Sequence, residues 1–205
     1  MNTRIYNSKE GFSLVEIMVV IVIMGVLAAV ATPKIFAMVE RTNRKIDAAN
    51  AIEMRNILQR AYHSEVIVFP ENSNYNVTID NQRVNAGLSV AVFVNKNGIN
   101  YYRGSGSVLV NGGDYHSDNG VAYRRIQRLF EEAGFTNVAV QSKAKDGGWE
   151  CYGAAIFAGG TTRIFSSANS GLCTTTSSGG NYETILHQAI NGDNPIAAYL
   201  PGMVD

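Results

Sequence analysis

The side chains that most often carry out chemistry are scattered along this chain of 205 residues. Its three histidines, His63, His116 and His187, are far apart and lack the spacing of zinc ligands. The sequence has neither a Walker phosphate-binding loop nor a Gly-x-Ser-x-Gly nucleophile turn. It therefore predicts neither an enzyme nor a bound cofactor.

Two weaker patterns suggest a ligand. Asp114, Asp118 and Asn119 follow a pair of glycines, and Asp193 precedes an Asn, but neither group has the spacing of an EF-hand calcium loop. We therefore predict no metal site. Four aromatic residues could form a sugar-binding face, although such residues more often pack in a core: Tyr101, Tyr102, Trp149 and Tyr152.

One carboxylate is unusual because of its surroundings. Glu16 is the only charged residue between Phe12 and Ala31. Twenty helical residues span about 30 Å, the thickness of the hydrocarbon core of a membrane. An ionisable group in such a segment is costly and indicates a functional role. The alternative is that Glu16 lies at the membrane interface and is merely tolerated there.

The overall composition narrows the class of protein. The chain has 17 basic and 17 acidic residues, and this neutral balance argues against a nucleic-acid partner. Hydrophobic residues make up 46% of the chain, which excludes a wholly disordered protein.

The N-terminal segment is polar up to Glu10 and apolar after it. This pattern is also typical of a secretory signal peptide or a plain single-span anchor.

The N-terminal residues fit a more specific pattern. Residues 11–16, Gly-Phe-Ser-Leu-Val-Glu, and the apolar residues 17–21 resemble the prepilin signature of type IV pilins and of type II secretion pseudopilins. The resemblance continues through Gly25 and residues 27–29 to Pro33. It covers about the first forty residues, and the remainder of the chain does not match any one member well enough to identify it.

The resemblance implies how the N-terminus is processed and used. A prepilin peptidase would cut after Gly11 and methylate the new N-terminus, Phe12. Residues 1–11 would form a cytoplasmic leader, and residues 12–33 a helix that lies first in the membrane and then in a filament core. Glu16 would neutralise the N-terminal amine of a neighbouring subunit, in accord with the rule that buried charges must be paired. Gly25 and Pro33 weaken this helix, and the resemblance implies local melting on assembly.

Residues 34–65 are predicted to continue the same helix as an amphipathic second half, giving one bent helix over residues 12–65. This stretch contains no Gly or Pro. Apolar residues recur at helical spacing and predict one buried stripe: Ala51, Met54, Leu58, Ala61 and Tyr62. The basic residues are expected to be mostly solvated or to face neighbouring subunits: Arg41, Arg44, Lys45, Arg55 and Arg60.

Residues 66–205 are predicted to form an α+β globular domain. Alternating and β-branched runs predict strands over residues 66–69, 75–80, 87–94, 99–103, 107–110, 138–142, 149–157 and 162–166. Asn97-Gly98 is a hairpin turn signal, because both residues tolerate positive φ. A helix is predicted around residues 122–133, ended by Gly134, and a short second one over residues 182–190.

Cys151 and Cys173 are the only cysteines. If the globular domain lies outside the cytoplasm, as the resemblance implies, we expect the two to form a disulfide. Two buried free thiols are the alternative. A C-terminal loop bounded by a disulfide also resembles many type IV pilins.

Together these features predict the pilin fold, an α+β arrangement in which a long N-terminal helix packs on an antiparallel sheet. The expected function is that of a structural subunit of a type IV pilus-like extracellular filament. Its expected partners are its own copies, the prepilin peptidase and an inner-membrane assembly platform. The protein would wait in the inner membrane with its globular domain in the periplasm. A type II secretion pseudopilin is the main alternative, and a membrane-anchored periplasmic binding module or enzyme is the other.

Overall fold

The structure is a computed structural model of the chain. It describes residues 11–69, 76–79, 82–85, 89–103, 109–110, 113–114, 121–143, 148–168, 196 and 199. The chain divides into two units, residues 1–39 and residues 40–205.

Helix α1 extends over Leu14–His63 and includes Pro33 in its interior. In the first unit, every described residue is exposed. In the second unit, one face of α1 is buried at spacings of three and four residues, as an amphipathic helix requires: Asp47, Ala48, Ala51, Met54, Ile57, Leu58 and Ala61. The predicted apolar stripe is confirmed, with Tyr62 partly buried at its edge.

Helix α1 ends in a Schellman motif. The N–H of Val66 donates to the carbonyl of Ala61 at 2.9 Å, and the N–H of Glu65 donates to that of Tyr62 at 3.1 Å. Glu65 has a φ of 56°, and it is the only non-glycine residue with positive φ in the part of the chain that the structure describes. This position is one that glycine usually occupies, because a Cβ atom is strained there.

Replacing Glu65 by Gly is therefore expected to stabilise the protein by up to about 1 kcal/mol, since relief of strain exceeds the added chain entropy. Thermal unfolding of the purified protein in detergent measures the effect. Glu65→Ala is the matched control, because it removes the same carboxylate but keeps the strained Cβ. Equal shifts in the two variants would contradict a conformational origin.

The strands form three antiparallel groups. In chain order they are β1 Ile67–Val68, β2 Asn76–Ile79, β3 Gln82–Asn85, β4 Ser89–Asn95, β5 Gly98–Arg103, β6 Leu109–Val110, β7 Gly113–Asp114, β8 Cys151–Phe157 and β9 Thr162–Ser167. The largest sheet has the order β5-β4-β8-β9. Strands β1, β6 and β7 form a small sheet, and β2 pairs with β3. The two central strands, β4 and β8, are buried along their whole length.

The core of the second unit lies between α1 and the large sheet. Side chains from the buried face of α1 join alternate residues of the central strands, including Val90, Val92, Tyr152 and Ala154. The predicted α+β arrangement, a long N-terminal helix packed on an antiparallel sheet, is confirmed. Gly153 allows the close pairing of β4 and β8, because a Cβ there would lie 2.7 Å from the Cα of Phe93.

The predicted hairpin is present, but its turn lies one residue earlier than predicted. Asn95 pairs with Gly98 across β4 and β5, so the two turn residues are Lys96 and Asn97. Among the four residues 95–98 of this turn, only Gly98 has positive φ, at 119°. The N–H of Asn97 donates to Oδ1 of Asn95 at 2.8 Å. This side-chain bond stabilises a turn that needs no left-handed residue at its centre.

Helix α2 extends over Val121–Glu132 and ends as predicted at Gly134, which has a φ of 91°. The N–H of Phe135 donates to the carbonyl of Phe130 at 2.8 Å. The two rings meet edge to face at 5.8 Å, which is the apolar contact that commonly accompanies this type of helix end.

One predicted strand is absent, two observed strands were not predicted, and one predicted helix lies outside the described residues. Residues 138–142 do not form a strand. The backbone N–H groups of Gln141 and Ser142 instead bind a side chain of α1. Strands β3 and β7 were not predicted from the sequence, and the helix predicted over residues 182–190 lies where the structure is not described.

Candidate functional site

The bond between Gly11 and Phe12 lies in exposed, non-helical backbone just before α1. The side chain of Phe12 is 86% exposed. A Cβ atom added at Gly11 would meet no other atom within 4 Å. A peptidase could therefore reach this bond without unfolding the helix. Cleavage and methylation at this position stay predictions.

Glu16 lies in the first turn of α1, where its carboxylate caps the helix. The backbone N–H of Ser13 donates to Oε2 of Glu16 at 2.8 Å, and the carbonyl of Ser13 accepts from the N–H of Ile17 at 3.3 Å. This is half of a capping box, in which Ser13 is the N-cap residue. The sequence analysis missed it, although Ser-x-x-Glu over residues 13–16 was the signal.

The cap determines where the carboxylate of Glu16 is held. Ser13 directly follows Phe12, the residue whose amine cleavage would release. The carboxylate is therefore bound at the end of α1 where a positive charge would appear. Negative charge near the N-terminus of a helix also interacts favourably with the helix dipole.

The first unit presents a continuous apolar surface. Within the described residues, α1 is the one helix long and apolar enough to cross a membrane, and its apolar window is 0% buried. Large hydrophobic side chains such as Phe12, Ile21, Leu27 and Phe36 are each at least 59% exposed. A surface of this kind requires lipid or other protein chains to cover it.

Gly25 and Pro33 lie inside α1, which continues through both. A Cβ atom at Gly25 would meet no neighbour within 4 Å. The hydroxyl of Thr32 donates to the carbonyl of Ala28 at 2.6 Å. This is the usual bond of a helical threonine to the carbonyl four residues earlier. The carbonyl that loses its helical donor at Pro33 is that of Ala29. The predicted melting of this segment concerns the assembled filament and stays a prediction.

In the second unit, two carboxylates of α1 bind the backbone of residues 141–143. Oδ1 and Oδ2 of Asp47 accept from the N–H of Gln141 at 3.1 and 3.2 Å, and Oδ2 accepts from the N–H of Ser142 at 2.9 Å. Oε1 of Glu40 accepts from the N–H of Lys143 at 2.8 Å. Asp47 is fully buried. Loss of solvation raises its pKa, and the backbone bonds offset this only partly.

The sequence analysis predicted that Arg44 is mostly solvated or faces a neighbouring subunit. The structure instead places its side chain in contacts within the second unit. Its Nη1 donates to the hydroxyl of Tyr199 at 2.9 Å, and its Nε lies 3.5 Å from Oε1 of Glu40. Only 18% of its side chain is exposed. The ring of Tyr199 meets that of Trp149 edge to face at 5.7 Å. Arg44 therefore joins α1 to a residue near the C-terminus, 155 positions further along the chain.

The weaker ligand patterns receive no support from the structure. Trp149 and Tyr152 are 1% and 0% exposed, so a sugar-binding face that includes them is wrong. The hydroxyl of Tyr152 instead accepts from Nδ2 of Asn50 at 3.2 Å inside the protein.

Among the described residues, no three metal-ligating side chains come together. His63 is exposed, and Asp114 lies in β7. The remaining residues of these patterns lie outside the described part: His116, His187, Asp118, Asn119 and Asp193.

Cys151 begins the central strand β8 and is 2% exposed. Cys173 lies outside the described residues, so the pairing of the two stays a prediction. The closed loop of about 22 residues would contribute roughly 3 kcal/mol on a chain-entropy estimate.

Replacing Cys151 or Cys173 by Ser is expected to lower the free energy of unfolding by about 2–5 kcal/mol. Chemical unfolding of the purified protein, with and without reductant, measures this loss. Reductant should destabilise the wild type and leave the two variants unchanged. Thiol labelling that finds both cysteines free in the unreduced, unfolded protein would contradict the disulfide.

The comparison with protein families supports the N-terminal assignment. Residues 6–32 match the model of the prokaryotic N-terminal methylation motif. This motif is the prepilin signature of type IV pilins and pseudopilins, so the resemblance seen in the sequence is confirmed. No significant match was found among curated proteins or solved structures. The motif supports a type IV pilin-like or pseudopilin protein, which is a structural rather than an enzymatic class.

Proposed function

We propose that this protein is a structural subunit of a type IV pilus-like extracellular filament. The observation that carries the proposal is the methylation motif over residues 6–32, which coincides with an apolar helix that the chain itself leaves uncovered. The membrane covers this helix before assembly, and the helices of other copies cover it in the filament.

Cleavage and methylation prepare the chain for its transfer from the membrane into the filament. The prepilin peptidase cuts after Gly11 and methylates Phe12, which leaves an ammonium group at the start of α1. The carboxylate of Glu16, already held at this end of the helix by Ser13, pairs with the ammonium of a neighbouring copy. The pairing matters because an uncompensated charge in a dry core is strongly destabilising.

The packed second unit provides the outer surface of the filament. Its attachment to the amphipathic half of α1 is both apolar and polar, through the buried stripe and through Glu40, Arg44 and Asp47. An inner-membrane platform moves the subunit from the membrane into the growing filament. Before this step the globular domain lies in the periplasm.

A pseudopilin of a type II secretion system is the second candidate. The apolar residues that follow Glu16, with the sequence Ile-Met-Val-Val-Ile-Val-Ile, fit pseudopilins at least as well as pilins. The cysteine pair and the size of the globular domain favour a pilin.

Deletion of the gene in its native cells distinguishes these functions. For a pilin, we expect surface filaments seen by electron microscopy to be lost or reduced, and secretion of exoproteins to be unchanged. Complementation with the wild-type gene should restore the filaments. Loss of exoprotein secretion with unchanged surface filaments would contradict the pilin and support the pseudopilin.

A further inference from the structure

Helix α2 has an outer face that consists largely of charged residues. Arg124, Arg125 and Arg128 are exposed in its first two-thirds, and Glu131 and Glu132 are exposed in its last turn. Its inner face is anchored separately in the core, where Ile126 and Phe130 are each 0% exposed. The outer side chains are therefore not needed to hold the helix on the domain.

The order of these charges opposes the helix dipole. The first turn of α2 has no acidic residue, and the last turn has no basic residue. Arginines toward the N-terminal end and glutamates at the C-terminal end are each unfavourable for an isolated helix. The helix dipole therefore does not explain this arrangement.

Contacts within the chain do not explain it either. Arg124, Arg128 and Glu132 form no ion pair with any residue that the structure describes. Glu131 accepts a hydrogen bond from Nε2 of Gln127 at 2.8 Å, which leaves its second carboxylate oxygen available.

The spacing of these charges suits a second copy of the same chain. Residues 124, 128 and 131 fall on one side of the helix, with positive charge at one end and negative charge about 10 Å along the axis. In a head-to-tail contact, the arginine end of one copy meets the glutamate end of the next. The pair keeps a free glutamate end on one copy and a free arginine end on the other, so the contact repeats without closing, as a filament requires.

We infer that the outer face of α2, defined by Arg124, Arg128, Glu131 and Glu132, is a contact surface between neighbouring subunits. Its partner is a second copy of this chain, bound head to tail through ion pairs. This inference rests on the proposed filament function and adds to it a contact formed by the globular domain, separate from the N-terminal helix.

Charge reversal of the full-length protein in its native cells tests the inference. The basic-end variant is Arg124→Glu with Arg128→Glu, and the acidic-end variant is Glu131→Arg with Glu132→Arg. Each brings like charges together and should lower the amount of sheared filament by about tenfold. The variant with all four changes restores opposite charges and should recover filament to within about threefold of wild type.

Mixed expression checks that the variants fold. Cells that make both the basic-end and the acidic-end variant should form filaments, because a copy with two acidic ends meets a copy with two basic ends. The control Lys96→Glu reverses a basic charge at an exposed position outside α2 and should leave filaments at the wild-type level.

The inference is overturned if the two reversals leave filament amount unchanged, if the fourfold variant and mixed expression both fail to restore it, or if the control lowers it equally. None of these results affects the proposed filament function, which depends on Glu16. Loss of surface filaments in α2 variants whose chain is still cut at Phe12 would instead support the inference.

Discussion

Replacing Glu16 by Ala is expected to leave membrane insertion intact and to abolish filament assembly. Insertion should improve slightly, because a charged group is removed from an apolar segment. Assembly should fail because the ammonium of Phe12 would enter a dry core without a partner, at a cost of about 3–5 kcal/mol. The second unit should fold as in the wild type, since residue 16 belongs to the first unit.

The capping bond between Ser13 and Glu16 makes a second variant necessary. Glu16→Ala removes both the charge and the acceptor for the N–H of Ser13, and loss of a helix cap costs about 1 kcal/mol. Glu16→Gln removes the charge but keeps an oxygen that can accept this bond. If charge pairing drives assembly, both variants should fail. If only capping matters, Glu16→Gln should assemble like the wild type.

The measurement is the amount of filament sheared from cells that lack any wild-type copy, with the protein in the membrane fraction as a reference. We expect normal membrane levels and almost no filament for either variant. Wild-type amounts of straight filaments from Glu16→Ala cells would show that Glu16 is only a tolerated interfacial residue.

Replacing Asp47 by Ala is expected to destabilise the second unit by about 3 kcal/mol, because one buried and one partly buried N–H group lose their acceptor. These are the N–H groups of Gln141 and Ser142. Asp47→Asn retains the shape and one accepting oxygen, so its loss should be smaller. Glu53→Ala is the control on the same helix, since its ion pair with Arg60 is exposed and lies within α1. A loss as large for Glu53→Ala as for Asp47→Ala would contradict a special role of burial.

The pH dependence of stability isolates the charge of Asp47. Burial raises the pKa of this carboxyl above its ordinary value of 3.8. Its stabilising contribution is therefore complete below that value and is lost as the pH rises through the folded-state pKa. The wild type should exceed Asp47→Asn in stability most at acid pH, and the difference should shrink as the pH rises. A difference that widens with pH would contradict the raised pKa.

The sequence predicted those features that depend on local pattern. The apolar run after Phe12 and the stripe that includes Met54 and Leu58 define α1, because helical spacing alone decides which face is buried. Gly134 ends α2 because its positive φ turns the chain so that the next N–H group can donate to a carbonyl of the last turn. Glycine is a strong signal for that position.

Features that depend on distant parts of the chain were not predictable. Asp47 is buried because its partners, Gln141 and Ser142, lie 94 and 95 positions away. The same contact explains why residues 138–142 alternate like a strand but form none. The sequence predicts a solvated Arg44 because its partner Tyr199 lies 155 positions away, and no neighbouring residue indicates their contact. Strands β3 and β7 are short, and their sequences alone do not predict a strand because the strands that pair with them, β2 and β6, are not known from the sequence.

The intact mass of the native protein tests the central claim most directly. The protein is purified from cells with an active prepilin peptidase, and its N-terminal peptide is identified by mass spectrometry. The account predicts a chain that begins at Phe12 and carries one methyl group on its terminal amine. A chain that still begins at Met1, or one that begins near Thr32 as after signal-peptide removal, would contradict it.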